Sequence, residues 1–255
     1  MDGINADLKS YIETNVFLKY DSEKVDDGHK LNHVKYVINR SLLFAMEYNN
    51  QNPNDVLNLD KVYTIAAYHD IGLSEVDRSI HEKRSAQMLL EDENLKQFFT
   101  ADDLHQMADA VEDHRASLKT APRTVYGKIV SQADRDTDAR HFLKRTYDYR
   151  KGVEPFCSNF SLLKDDIKKH FSDKYGEGGY GLTKIWFPDK DFDDFKATVQ
   201  SWIADDNLLT QELVDLIQSD KTRIKSSNGV SRSSAVDNVF TMTNEVPDSS
   251  TGYVL

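Results

Sequence analysis

Val62-Tyr63-Thr64-Ile65-Ala66-Ala67-Tyr68-His69-Asp70 is an apolar run that ends in an imidazole and a carboxylate. At 3.6 residues per turn, the terminal pair shares a helix face with Val62 and Ile65, so both polar side chains are predicted to point into the core. Burying a carboxylate and an imidazole is costly unless something compensates them, and one divalent cation can satisfy both. The stretch therefore predicts a core helix that carries metal ligands.

Similar polar side chains end or begin other apolar stripes with helical spacing. His33 lies at the edge of the stripe that continues from Val34 to Ala45, His114 follows the stripe from Met107 to Val111, and Asp134 follows the stripe from Tyr126 to Ala133. His81 opens a further helical segment one short loop after the His-Asp pair. These segments are predicted to be separate helices that converge on one point.

The ordered set resembles the HD superfamily of metal-dependent phosphohydrolases over roughly residues 25–150; it consists of His33, His69, Asp70, His81, His114 and Asp134. The segments Ala66–Gly72 and Ser131–Arg135 are similar to two motifs of that family. The segment Glu112–Ser117 and the residues that follow it resemble a poorly characterised bacterial branch and also HD-type dinucleotide hydrolases. The resemblance implies an all-α fold, an HD-domain helical bundle with an α-rich C-terminal extension.

The resemblance also implies a metal centre of one or two ions. His33, His69, Asp70 and Asp134 would bind one ion, and Asp70 would bridge to a second ion held by His81 and His114. Imidazole and carboxylate ligands suit Fe, Mn, Co, Ni or Zn better than Mg or Ca, and we expect Fe or Mn. Asp70 and His69 are the expected catalytic residues, because a metal-activated hydroxide would attack phosphorus without a Ser or Cys nucleophile.

Two departures from the family pattern limit the activities that the resemblance supports. Leu73 stands where many HD enzymes have a Lys after the Gly that follows the His-Asp pair. The segment Ser74–Asp77 does not reproduce the acidic pair of guanosine tetraphosphate hydrolases, and those enzymes lack counterparts of His81 and His114. We therefore disfavour that activity.

A basic cluster follows His114 in an otherwise acidic chain. Arg115, Lys119 and Arg123 are the candidate substrate-binding residues, because Arg can contact phosphate through two N–H groups and Lys acts as a mobile point charge. A solvated loop would have the same composition. The predicted partner is a small phosphorylated substrate, in particular a nucleotide.

Composition restricts the class of protein. The chain has 255 residues, a formal net charge of −11 and a single cysteine, Cys157. An acidic surface disfavours nucleic acid and anionic membranes as partners, and the sequence shows neither a signal peptide nor a membrane span. A cytoplasmic protein is expected, and an oligomer is compatible with the sequence.

Helical periodicity predicts three regions. Residues 1–150 would form the metal-dependent phosphohydrolase domain, residues 151–225 a mainly helical extension with a glycine-rich loop at 176–181, and residues 226–255 a disordered tail. The four glycines of that loop are unfavourable in a helix and match no phosphate-binding motif.

The leading functional hypothesis is hydrolysis of a nucleotide or another small phosphoester. Some HD proteins activate O₂ with the same ligands, so a di-iron oxygenase is an alternative. A non-catalytic module that senses a nucleotide is the other, and Leu73 favours it.

Overall fold

The computed structural model describes residues 3–227, and in this range it contains ten α-helices and no β-strand. The all-α prediction is confirmed. The helices are α1 (Ala6–Tyr11), α2 (Leu31–Gln51), α3 (Leu59–Tyr68), α4 (His81–Glu91), α5 (Ala101–Glu112), α6 (Val125–Ala133), α7 (Ala139–Arg150), α8 (Phe160–Tyr175), α9 (Lys190–Ala204) and α10 (Asp206–Ser227). No helix in the described range is long and apolar enough to cross a bilayer.

Helix α3 lies at the centre of the first apolar core. Every residue from Val62 to Tyr68 is buried, and α2, α5 and α6 pack around the helix. The Asn58 side chain accepts hydrogen bonds from the amides of Asp60 and Lys61 and so caps the first turn. This burial on all sides explains why the sequence from Val62 to Tyr68 is apolar without interruption.

The chain turns sharply after α3 and packs against α4. A Cβ atom on Gly72 would overlap the carbonyl oxygen of His81 and would lie 2.8 Å from the amide nitrogen of Ser85. The Gly72 amide donates to the Ser85 hydroxyl at 2.9 Å. The missing side chain thus permits a close backbone approach that brings the first turn of α4 next to the end of α3.

A second apolar core is formed by α7 to α10. Its centre is aromatic: the rings of Phe142 and Phe171 stack at 4.6 Å, and Tyr175 lies edge-on to Phe195 at 4.9 Å. Helix α7 ends at the predicted domain boundary, residue 150, and it contributes Phe142 and Leu143 to this second core. The boundary itself stays a prediction.

The glycine-rich loop turns back on the end of α8 and leads to an extended arm. A Cβ atom on Gly179 or Gly181 would lie 2.5 or 2.7 Å from the Lys174 carbonyl oxygen, so the glycines allow a close backbone contact. The arm reaches the first core, where Phe187 stacks on Phe44 at 5.8 Å. The tail predicted from residue 226 falls almost entirely at residues 228–255, which lie outside the described residues.

Candidate metal centre

The six predicted ligands meet where helices begin or end. His33 lies in the first turn of α2 and His81 is the first residue of α4. The other four follow the last turns of their helices: His69 and Asp70 after α3, His114 after α5, and Asp134 after α6. Side chains at helix ends are not confined to the apolar face of their helix and can point towards one another. The centre therefore lies at one end of the helical bundle.

Four of these residues form a first group of ligand atoms: His33, His69, Asp70 and Asp134. The His33 Nε2 atom lies 3.0 Å from an Asp134 oxygen and 3.3 Å from His69 Nε2. The His69 Nε2 atom lies 3.2 Å from Asp70 Oδ2. The ligand atoms all lie within 4.8 Å of one another, which is compact enough for a single ion.

Asp70 also belongs to a second group with His81 and His114. Its Oδ1 atom lies 2.9 Å from His81 Nε2 and 3.4 Å from His114 Nε2. Its Oδ2 atom faces the first group, so the two oxygens of one carboxylate point to different sets of histidines. This is the arrangement expected of a bridging ligand between two ions.

Backbone carbonyls orient three of the histidines. The Nδ1 atoms of His69, His81 and His114 each lie 2.7–2.8 Å from the carbonyl oxygen three residues earlier in the chain. Nδ1 must therefore carry the hydrogen and donate it, which leaves the Nε2 lone pair directed into the centre. Carbonyl groups commonly fix metal-binding histidines in this way.

The polar atoms of the centre need a cation. The Nε2 atoms of His81 and His114 lie 3.2 Å apart, and the carbonyl bonds at Nδ1 make both of them acceptors in the neutral rings. Asp70 Oδ2 is buried, and with His69 neutral no group among residues 3–227 donates a hydrogen bond to it. Two facing lone pairs and an unpaired buried carboxylate oxygen are unfavourable unless positive charge lies between them. The nitrogen-rich ligand set therefore fits divalent transition metals.

In the metal-free protein, a proton on His69 supplies this positive charge. Burial disfavours the imidazolium form of His69, but the neighbouring Asp70 and Asp134 outweigh burial and raise the His69 pKa to about 9. Burial likewise opposes ionisation of the two carboxyls, yet the histidines hold the pKa of each below its usual range. The centre thus favours ionised carboxylates beside a positive charge.

The stretch of the chain that contains the centre matches a known protein family. The family model "HD domain" matches residues 31–138, a range that contains all six residues of the centre. Residues 31–138 are an HD domain. The resemblance to the HD superfamily is thereby confirmed.

A solved structure is also similar to the chain. It is the crystal structure of a predicted HD superfamily hydrolase from an uncultured Thermotogales bacterium, with 20% sequence identity and a TM-score of 0.41. The match covers 65% of this chain and 92% of that chain. None of the curated proteins matches this chain.

The three predicted substrate-binding cations lie in different surroundings around the HD domain. The Arg115 side chain donates to the carboxylate of Glu82 at 3.1 Å, and Lys119 is exposed. Arg123 is bonded to the carboxylates of three acidic residues, Asp109, Glu112 and Asp113, at 2.6–3.0 Å. A phosphate contact by Arg123 would have to displace some of these partners. The substrate role of all three cations stays a prediction.

Glu82 is a functional candidate that the sequence analysis missed. Its side chain is 7% exposed, lies 3.6 Å from His81 Nδ1 and pairs with Arg115. A signal was available, because Glu82 shares the inward face of α4 with Ser85 and Leu89 at helical spacing. Glu82 links a proposed metal ligand to a predicted substrate cation.

His29 is a second residue that received no role from the sequence. It is buried, its ring lies edge-on to that of His33 at 5.5 Å, and its Nδ1 atom lies 2.8 Å from an Asp26 oxygen. It precedes the first helical stripe, so no periodicity pointed to it. His29 supports the position of His33 from outside the two ligand groups.

Proposed function

We propose that this protein is a metal-dependent phosphohydrolase that cleaves a nucleotide or another small phosphoester. The observation that carries the proposal is the bridging position of Asp70, whose two oxygens face two separate groups of ligand atoms inside an HD domain. Two-metal sites of this kind serve phosphoester hydrolysis in many enzymes.

Each group of residues would have a separate role. His33, His69, Asp70 and Asp134 would hold one ion, and Asp70, His81 and His114 a second. Fe or Mn suits this ligand set, and Co, Ni or Zn are compatible with it. The bound ions would supply Lewis-acid activation of water and neutralise phosphate charge. Glu82 would fix the Arg115 guanidinium so that its remaining N–H groups can donate to the phosphate.

The absence of a family Lys favours a second candidate function, a non-catalytic module that senses a nucleotide. Leu73 replaces that Lys and is 5% exposed, packed in the first core, so no cation approaches the centre from this position. The di-iron oxygenase alternative rests on the same ligands. It predicts O₂ consumption and requires redox-active iron. The cytoplasmic location, the small phosphorylated substrate, and the exclusion of nucleic acid and membranes stay predictions.

Metal content is the experiment that tests the proposal. We expect about two transition-metal ions per chain in protein purified without chelators, as for other binuclear centres. The His81→Ala variant should lose one ion and the Asp70→Ala variant most of both, while the variant of the exposed His105, His105→Ala, should keep them. Elemental mass spectrometry measures these values.

A screen of nucleotides and phosphoesters then separates the functional classes. Release of phosphate by the metal-loaded wild type and not by Asp70→Ala supports hydrolysis. Ligand binding without turnover, across several metals, would favour the sensing module. Turnover of O₂ by the iron-loaded protein, without phosphate release, would favour the oxygenase.

A further inference from the structure

One edge of the metal centre is open to substrate. The side chains of His33 and Asp134 are 16% and 24% exposed. The other four proposed ligands, His69, Asp70, His81 and His114, are at most 5% exposed. A phosphoester therefore has to approach from the side of His33 and Asp134.

Two cations from the C-terminal helices lie beside this edge. Asp136, two residues after Asp134, accepts hydrogen bonds from Arg145 Nη2 at 2.9 and 3.2 Å and from Lys174 Nζ at 3.2 Å. Arg145 belongs to α7 and Lys174 to α8. One carboxylate thus pairs with two cations, so the group formed by Asp136, Arg145 and Lys174 carries one positive charge that Asp136 does not balance.

Arg145 also reaches the opposite side of the entrance. A Cβ atom on Gly28 would lie 2.8 Å from the Arg145 Cδ atom, so the glycine lets the arginine cross over the loop that precedes α2. The next residue, His29, packs edge-on against His33 at 5.5 Å. Arg145 therefore contacts both the loop after α6, through Asp136, and the loop before α2, at Gly28.

Both cations have capacity for a further anion. The Arg145 and Lys174 side chains are 31% and 20% exposed, so solvent reaches them. The bonds to Asp136 use only Nη2 of Arg145, and its Nε and Nη1 groups can still donate. A guanidinium with two free donor groups beside an ammonium matches the geometry and charge of a phosphate group.

We propose that Arg145 and Lys174 bind a second phosphate of the substrate while the phosphoester to be cleaved lies at the metal centre. This inference rests on the proposed phosphohydrolase function and narrows its substrate class to small molecules with two phosphates. When substrate is absent, Asp136 pairs with the two cations, and the second phosphate competes with it for their N–H groups. The C-terminal helices thereby determine the specificity of a centre whose proposed ligands all belong to the HD domain.

Calorimetric titration of the metal-loaded full chain tests this inference. The probes are adenosine 5′-monophosphate, adenosine 5′-diphosphate and adenosine 3′,5′-bisphosphate. Wild type should bind at least one of the two-phosphate compounds about tenfold tighter than the monophosphate, as expected for added charged hydrogen bonds. The variants Arg145→Gln and Lys174→Gln should lose this preference and keep the affinity for the monophosphate.

A matched control separates the local effect from a general loss of charge. Arg150 lies on the same helix, α7, and pairs with Asp166 of α8. Arg150→Gln should keep the two-phosphate preference. Asp136→Asn distinguishes the roles further, because removing a competing carboxylate should tighten two-phosphate binding, whereas a purely structural ion-pair network predicts weaker binding.

Several outcomes would overturn the inference: no two-phosphate preference in wild type, an equal loss for all three probes in Arg145→Gln, or weaker binding in Asp136→Asn. Phosphate release is measured in a separate assay, so that the hydrolase function and the second phosphate site are tested independently. Turnover with an unchanged preference in Arg145→Gln rejects the second phosphate site and retains the hydrolase. A preference that disappears in Arg145→Gln, in a protein without turnover, supports the site and rejects the hydrolase.

Discussion

The His69 side chain has no exposed surface and lies between the carboxylates of Asp70 and Asp134. Its protonation state therefore decides whether the centre can bind a metal ion. Its Nδ1 group is committed to the Ala66 carbonyl at 2.7 Å, so any proton or metal ion must bind at Nε2. A proton at this atom is stabilised by the same carboxylates that would ligate an ion. Metal and proton therefore compete for one site.

This competition predicts that metal affinity rises with pH. The His69 pKa of about 9 means that the free protein holds the proton throughout the neutral range. Binding an ion must release it, so the association constant should increase about tenfold per pH unit for each proton released and level off above pH 9. Competition of the protein with a chelator for Mn²⁺ at pH 6, 7 and 8, corrected for protonation of the chelator, measures the slope. A pH-independent constant would contradict the prediction.

Most residues of the centre could be predicted because they end or border an apolar stripe, whereas His81 opens a polar segment and was assigned through the family resemblance. His69 and Asp70 stand where a core helix should be apolar, and that local anomaly is visible without any tertiary information. Arg123 carried no comparable signal. Its carboxylate partners at Asp109 and Asp113 are reached only after the loop from 115 to 124 folds back on α5, so the sequence did not reveal that its donors are already engaged.

Helix ends position the ligands, and their spacing depends on how closely neighbouring elements pack. Periodicity predicted the helices that carry the continuous apolar stripes, and these stripes lie within α2, α3, α5 and α6. The contact between the turn after α3 and the start of α4 was not predictable, since it depends on the absence of one side chain, at Gly72. That contact sets the separation of Asp70 from His81.

Gly72→Ala should therefore disrupt the second group of ligands more than the first. The added methyl group meets backbone atoms of His81 and Ser85, which cannot rotate away, so α4 must shift. Overpacking of this kind lowers the free energy of unfolding by about 1–3 kcal/mol. We expect a lower melting temperature and selective loss of the ion next to His81, measured by thermal unfolding and elemental analysis.

The matched control is Gly152→Ala, because a Cβ atom there would meet nothing within 4 Å. It should leave both the melting temperature and the metal content unchanged. Wild-type stability and full metal content in Gly72→Ala would show that the turn and α4 can separate without cost.

At the scale of the whole molecule, two apolar cores are joined through buried polar side chains at the C-terminal end of α6 and just after it. Gln132 accepts from the amides of Trp186 and Phe187 at 2.7 and 3.0 Å and donates to the Phe187 carbonyl at 2.8 Å. Arg135 donates to the carbonyls of Gly181 and Thr183. The sequence showed a glycine-rich loop, but not that Gln132 and Arg135, the residues directly before Ala133 and directly after Asp134, would hold the loop and the arm that follows it.

Gln132→Ala should release the arm from the HD domain. The substitution leaves two amides and one carbonyl of the arm without their partner. An unpaired group costs about 1–3 kcal/mol when it is fully buried, and these half-buried groups cost less because water reaches them. We expect faster amide hydrogen exchange at residues 182–189 and a lower melting temperature, with the aromatic core of α7 to α10 still protected. The exposed Gln87, whose side chain bonds to Glu91 on the same helix, provides the matched control, and Gln87→Ala should exchange as wild type does. Unchanged exchange in Gln132→Ala would mean that Arg135 and the stacking of Phe187 on Phe44 suffice to hold the arm.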